Sequence, residues 1–414
     1  MKPPAALAPI VSVFGHRNYA LFMGGMSPHL IGTWMQRVAV GWLAWELTHS
    51  PTWLGVIAAA DLAPGMFMGP IAGAYTDRGI PLRLSKIAQV LAFAQAAALA
   101  ALTALGWMTI EVLFLLAMFI GFVQPFAATA RHAIVPATVP RAEFATAIAV
   151  DSALFNGSRF IGPALAGLVV PVAGVESAFA ANALSCLVFI GALGMMDLPP
   201  PQRRSRKERR ILGDIAESLS YVRGHVGVGP LFALLTVVSL TIRPLQDMLP
   251  GFADEVFAAG IVGLAWLTSS MGLGATVGAA WIALRGRLSG LTAVAMGGVL
   301  GLGLAVLGFV ATGELAVAVI AGTLAGFALN IMSTGTQALV QSALTDDLRG
   351  RVMGLYTLIY RGLPAVGAVT VGVLAEAFGL RPTFAGAALL CLLAWLTAAG
   401  RRRAMTAALE AERA

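Results

Sequence analysis

The fold class this sequence predicts is an all-α integral membrane protein of about twelve transmembrane helices, arranged as two pseudo-symmetric six-helix bundles. Three observations predict it. Of 414 residues, 58% are hydrophobic and only 11% charged, whereas a soluble domain carries about 25% charged residues; the mean hydropathy is +0.83. The apolar residues fall in runs of roughly 20, the length that crosses a hydrocarbon core as helix. Most basic residues fall on alternate connections between those runs. The 47 glycines and 21 prolines fit this class, because membrane helices tolerate both where neighbours satisfy the freed backbone groups.

Taken in order, residues 1–18 form an N-terminal segment whose polar Phe14-Gly15-His16-Arg17-Asn18 leads straight into a long span. The first helix is therefore expected to stay in the mature chain rather than act as a cleaved leader. Residues 19–196 form the first bundle, with spans Tyr19–Leu47, Trp53–Thr76, Leu84–Gly106, Ile110–Ala130, Phe144–Val170 and Ser177–Met196. Residues 197–229 link the halves: Pro199-Pro200-Pro201, a basic run from Arg203 to Arg210, then Ile211, Leu212, Ile215, Leu219 and Val222 at helical spacing. That pattern predicts either an amphipathic helix lying on the inner leaflet, where basic residues meet anionic headgroups, or a solvated linker. Residues 230–400 form the second bundle, with spans Pro230–Phe252, Val262–Leu284, Leu291–Thr312, Leu315–Val340, Val352–Phe378 and Thr383–Gly400, and 401–414 is a basic tail. Pro140-Arg141-Ala142-Glu143-Phe144 and Asp347-Leu348-Arg349-Gly350-Arg351-Val352 precede the fifth and eleventh spans alike, a weak internal repeat.

Of the 27 basic residues, 22 lie on one set of connections and ends, Arg381 alone lies on the other, and four lie inside spans. The positive-inside rule then predicts that both termini are cytoplasmic. The pI near 10.0 is read as this topology signal and not as a nucleic-acid surface. Cys186 and Cys391 sit apart in apolar stretches, where free cysteine packs as a small hydrophobe, and the five histidines are scattered. No phosphate-binding loop, zinc-protease helix or nucleophile elbow is present. The chain is expected to be no enzyme and to need no cofactor or metal. Lacking a nucleotide-binding sequence, it is expected to draw on an ion gradient.

The connection after span two reads Gly69-Pro70-Ile71-Ala72-Gly73-Ala74-Tyr75-Thr76-Asp77-Arg78-Gly79-Ile80-Pro81-Leu82-Arg83. Glycines at i and i+4 allow close helix approach, and a carboxylate beside a helix N-terminus is stabilised by the dipole. This loop resembles the signature loop of the major facilitator superfamily. The resemblance implies a gating motif of Gly69, Gly73, Asp77, Arg78, Gly79 and Arg83, with Asp77 latching the halves. The equivalent Gly278 to Arg287 segment keeps the basic end and lacks the aspartate. Span five carries Ser158-Arg159-Phe160-Ile161-Gly162-Pro163-Ala164-Leu165-Ala166-Gly167, which resembles the Gly-Pro motif of superfamily exporters through Gly162, Pro163 and Gly167. Together with Arg17-Asn18-Tyr19 and Trp34-Met35-Gln36, the whole chain is similar to the branch that holds the enterobactin (siderophore) exporter and multidrug-like efflux relatives.

Ionisable residues inside spans are expensive and mark candidate function. Here they are Arg37, Asp61, Arg159, Arg243, Asp247 and Arg361, with Asp151 nearer a span end. The excess of arginine suits an anionic or catechol-like substrate bound by guanidinium forks, or each arginine serves a structural pair. Trp34, Gln36, Asn156, Gln246, Asn330, Tyr356 and Tyr360 complete the candidate cavity. Asp61 and Asp247 are the candidate proton carriers, Asp247 lying three residues after Pro244 at an expected helix break. The expected function is proton-coupled export of a small organic molecule by alternating access. Import of a small organic anion is the alternative, and a membrane scaffold a third. The expected partners are substrate, protons and membrane lipid, with the chain acting as a monomer and binding no nucleic acid.

Overall fold

Proline and glycine decide where these helices start, break and stop. The computed structural model describes residues 8–77, 80–198, 211–344 and 346–410, and all regular structure among them is helical. The first helices are α1 Ala8–Phe14, α2 Arg17–Thr48, α3 Pro51–Asp77, α4 Pro81–Ala104, α5 Ile110–Ala137, α6 Phe144–Ala173 and α7 Val175–Gly194. There follow α8 Ile211–Gly224, α9 Val228–Thr241, α10 Leu245–Gly251, α11 Gly260–Arg285, α12 Leu291–Ala311, α13 Leu315–Ala343, α14 Asp346–Thr357, α15 Leu363–Phe378, α16 Leu380–Ala399 and α17 Arg402–Leu409. π-Helical turns occupy Phe252–Val256 and Leu358–Gly362. Pro51 and Pro81 open α3 and α4, where the missing N–H costs nothing. Gly174 and Gly379 turn the chain with φ of 77° and 87°, a left-handed region that a side chain resists; they stand at the same corner of each half, before spans six and twelve.

Among the described residues, 11 helical segments are long and apolar enough to cross a membrane. The remaining long helix, α2, has 32 residues but carries His29, Gln36 and Arg37 near its middle. An all-α membrane fold therefore stands as the sequence predicts.

The chain divides into two compact units, Met1–Thr48 with Ala63–Arg206, and His49–Leu62 with Lys207–Ala414. The first part of α3 goes with the second unit. In the first unit α2 packs on α6 and α7, and α4 on α5 and α7. Its core at the N-terminal end is built from Tyr19, Phe22, Met23, Met26, Ile134 and Phe189. The polar entry segment has structural work there: Asn18 Nδ2 donates to the Asp197 carbonyl at 2.7 Å and Tyr19 Oη to that of Ala147 at 3.1 Å. Helix α1 is fastened by Ser12 and His16, whose side chains meet the Glu143 carboxylate at 2.7 and 2.8 Å.

In the second unit α13 packs between α11 and α12, and α16 lies on α12 and α9. Gly274 faces the Thr323 carbonyl and Gly326 the Met271 carbonyl so closely that a methyl group would collide with backbone. These reciprocal small residues bring α11 and α13 together, as membrane helices without a hydrophobic drive require. The amphipathic linker helix is present as α8 and packs on α14 and α9, with Ser218 and Val222 buried and Glu217 ion-paired to Arg351. A short helix thus docks on the start of span five through Glu143 and on the start of span eleven through Arg351, the same plan in both units.

Candidate functional site

In the first unit the sequence puts Trp34 and Arg37 one turn apart on α2, and Arg159 three residues before Gly162 on α6. A Cβ on Gly162 would lie 2.5 Å from Trp34 Cβ and 2.8 Å from the Ile31 carbonyl, so only glycine lets the two helices close up. That contact brings Arg159 over the Trp34 ring, 5.3 Å from its centroid, with Arg37 5.6 Å away. Phe155 meets Trp34 edge-on at 6.3 Å. One indole therefore carries two guanidinium groups, an arrangement in which each cation is attracted to the ring quadrupole by about 0.5–2 kcal/mol depending on desolvation. Pro163 is buried beside Gly162, and Gly167 lies one turn further along the same helix.

Next to this cluster is a pair that sequence reasoning separated. Arg131, one residue past the expected end of span four, donates through Nε to Asp151 Oδ1 at 2.9 Å and stacks 5.2 Å from the Phe155 ring. Gln36 is buried and exchanges hydrogen bonds with Gln95 (2.9 Å) and Asn182 (2.8 Å), while Ser185 donates to Asn182. This amide network joins α2, α4 and α7, and its members carry no charge that could have singled them out in sequence. His29 belongs to it in kind, stacked on Phe189 and within hydrogen-bond reach of Gln89 at 3.2 Å. Asn156 donates to the Ser152 carbonyl of its own helix.

The second unit builds its cluster from two helix breaks. Pro244 has no N–H for the Leu240 carbonyl, so span seven is interrupted over residues 242–244 between α9 and α10. Pro364 likewise withholds a donor from the Tyr360 carbonyl, and the chain before it winds into the π-helical turn Leu358–Gly362. Both carbonyls are used across the α9–α15 contact. That of Leu240 faces Gly367 at a distance that leaves no room for a Cβ, and that of Tyr360 accepts Arg243 Nη1 at 2.9 Å. The same guanidinium stacks 4.3 Å from the Tyr360 ring, Tyr356 stacks on Tyr360 at 5.7 Å, and Tyr356 Oη donates to the Ser333 carbonyl at 2.9 Å. Arg361 is exposed in the π turn, and Gln246 and Asp247 are half-buried on α10 after the expected break. Asn330 accepts from Thr334 at 3.5 Å, and a Cβ on Gly278 would lie 3.2 Å from Asn330 Cβ. Asp61 is half-buried on the part of α3 that goes with the second unit.

Of the gating motif, Arg83 is exposed, while Arg78, Gly79 and the Asp77 side chain lie outside the described residues. The close approach expected at Gly69 and Gly73 is not seen: no described atom comes within 4 Å of a Cβ placed on either. Among the described residues no group of three or more His, Cys, Asp or Glu side chains is placed to hold a metal ion.

Residues 20–412 match the family described as transmembrane secretion effector. The chain is 26% identical over 369 residues to the multidrug efflux pump Tap of Mycolicibacterium fortuitum, covering 86% of this chain and 88% of that one. It is 23% identical over 367 residues to the staphyloferrin A transporter of Staphylococcus aureus, covering 87% and 91%. Among solved structures, a POT family transporter in complex with 5-aminolevulinic acid superposes with a TM-score of 0.74 at 13% identity, covering 94% of this chain and 97% of that one. A bacterial homologue of the lysosomal transporter Spinster superposes with a TM-score of 0.70 at 12% identity, covering 96% and 99%. At such identities the superpositions establish the fold.

Proposed function

Because the chain belongs to the transmembrane secretion effector family, a branch of the major facilitator superfamily, we propose that this multi-pass transporter exports a small anionic or drug-like organic molecule in exchange for protons. Its bacterial relatives and the basic connections support an inner-membrane setting with both termini in the cytoplasm. The observation that carries the reading is the pair of guanidinium–aromatic clusters, Arg37–Trp34–Arg159 and Arg243–Tyr360–Tyr356, each set within spans where such charge is expensive. Arginine over an aromatic face offers a planar organic anion both a stacking surface and a charged donor. The efflux pump and siderophore transporter among the relatives support efflux of organic molecules. Rocking of the two halves about a mid-depth site is the mechanism, and Asp61 and Asp247 are the carboxylates that exchange the proton.

The experiment is to delete the protein from its host and compare small molecules retained with those secreted. Retention of an organic anion in the deletion strain supports export, whereas depletion from the cell supports import and unchanged pools a scaffold. With that compound in hand, Asp61→Asn is expected to abolish pH-gradient-driven uptake into inverted vesicles while binding persists. Unchanged gradient dependence removes Asp61 from the mechanism.

A further inference from the structure

The turn that joins spans one and two carries an interaction no transport motif predicts. Glu376, two residues from the end of α15, accepts at one oxygen, Oε2, both the Ser50 hydroxyl at 2.6 Å and the Thr52 N–H at 3.2 Å. Ser50 in turn accepts the Trp53 N–H at 3.3 Å. A carboxylate borrowed from another helix thus caps the first turn of α3, whose N–H groups have no partners of their own.

Below the cap the two helices meet backbone to backbone. Gly55 faces the Ala368 carbonyl with no room for a Cβ, and a Cβ on Gly372 would lie 2.6 Å from the Pro51 carbonyl. His49 enters the turn at φ 47°, a conformation a non-glycine residue keeps only when its surroundings impose it. Helix α3 is divided between the two units, His49–Leu62 going with the second and Ala63 onward with the first. The Glu376 cap fastens it at the end opposite the basic connections.

We propose that Glu376 is an outer-face latch, a positioning residue that holds the first half of span two against span eleven and lets go when the transporter opens to the outside. The proposal rests on the alternating-access reading above. The contact is suited to reversible use: glycine-on-carbonyl packing has no interdigitated side chains to disentangle, and the cap is made of hydrogen bonds that water can replace.

The test is thiol accessibility. Both native cysteines are buried and are replaced by alanine; a single reporter is then placed at Ala368, fully buried beside Gly55. Membrane-impermeant maleimide is applied from outside to intact cells. Glu376→Ala is expected to raise the labelling rate about tenfold, the usual consequence of losing hydrogen bonds to a charged acceptor. Glu376→Gln is expected to label nearer the parent rate than Glu376→Ala does, because one amide oxygen can still take both bonds, without the charge. Ser50→Ala, which leaves Glu376 and the Thr52 bond in place, is expected to fall between, and it carries the test should Glu376→Ala not reach the membrane. Labelling of Glu376→Ala, or of Ser50→Ala in its stead, at the parent rate overturns the latch, as does Glu376→Gln labelling as fast as Glu376→Ala. The readout needs no substrate, so failure to find a cargo counts against the proposed function and leaves the latch result standing.

Discussion

Trp34 shows how much a single residue depends on its neighbour's lack of a side chain. Its indole meets Arg159 because Gly162 admits the backbone of α2 at a distance where a Cβ would be 2.8 Å from a carbonyl oxygen. Gly162→Val is therefore expected to destabilise the protein by about 1–3 kcal/mol through overpacking against backbone that cannot move aside, read as a lower Tm in detergent. Arg159→Ala and Arg361→Ala are each expected to lower transport of the organic anion about tenfold, the value of a charged hydrogen bond, with membrane insertion unchanged. Normal transport by both variants ends the cationic-cavity reading. Residue identity announced these arginines, because charge in an apolar run stands out in any sequence. It did not announce the Gln36–Gln95–Asn182 network, whose members are scattered over three helices and look like ordinary polar residues until the helices pack.

At the scale of elements, prolines act by the hydrogen bonds they withhold. Pro364 leaves the Tyr360 carbonyl open for Arg243, so Pro364→Ala restores a competing N–H. Transport is expected to fall while Tm does not, a split that an ordinary packing defect would not produce. The C-terminal helix α17 offers a second case. Its Met405 and Leu409 are buried, and Glu410 accepts the N–H groups of Gly290 and Thr292, capping α12. Burial pushes the Glu410 carboxyl up, but the bonds from Thr292 and Gly290 and the nearby Arg285 outweigh it and hold it below its ordinary 4.5. A carboxyl depressed in the folded state stabilises fully above its unfolded value and loses that contribution as pH falls through the folded one. Hydrogen exchange in α17, corrected for intrinsic rate, is therefore expected to stay slow at neutral pH and to quicken below 4.5. Glu410→Ala should exchange fast at neutral pH as well.

For the whole molecule, the one-sided distribution of basic residues predicts which connections face the cytoplasm. Single cysteines at Arg287, on a basic connection, and at exposed Trp107, on an opposite one, are expected to label from opposite sides of the membrane, Arg287→Cys only after permeabilisation. Labelling of both from outside contradicts the topology. The two units share a plan that sequence hints at faintly: Gly174 and Gly379 turn equivalent corners, and docking helices α1 and α8 reach the starts of spans five and eleven through Glu143 and Arg351.

The sequence by itself determined that this is a helical membrane protein and which family it resembles, because hydropathy and span length are local sums along the chain. It also pointed to a helix break near Pro244, since a proline's missing donor acts within one turn. Only the tertiary structure decided which charges meet which rings, that Arg131 pairs with Asp151, and that Glu376 caps a helix more than 300 residues away in sequence. Those are products of helix rotation and depth, which a hydrophobic stripe leaves loosely fixed in lipid because every face of such a helix is apolar.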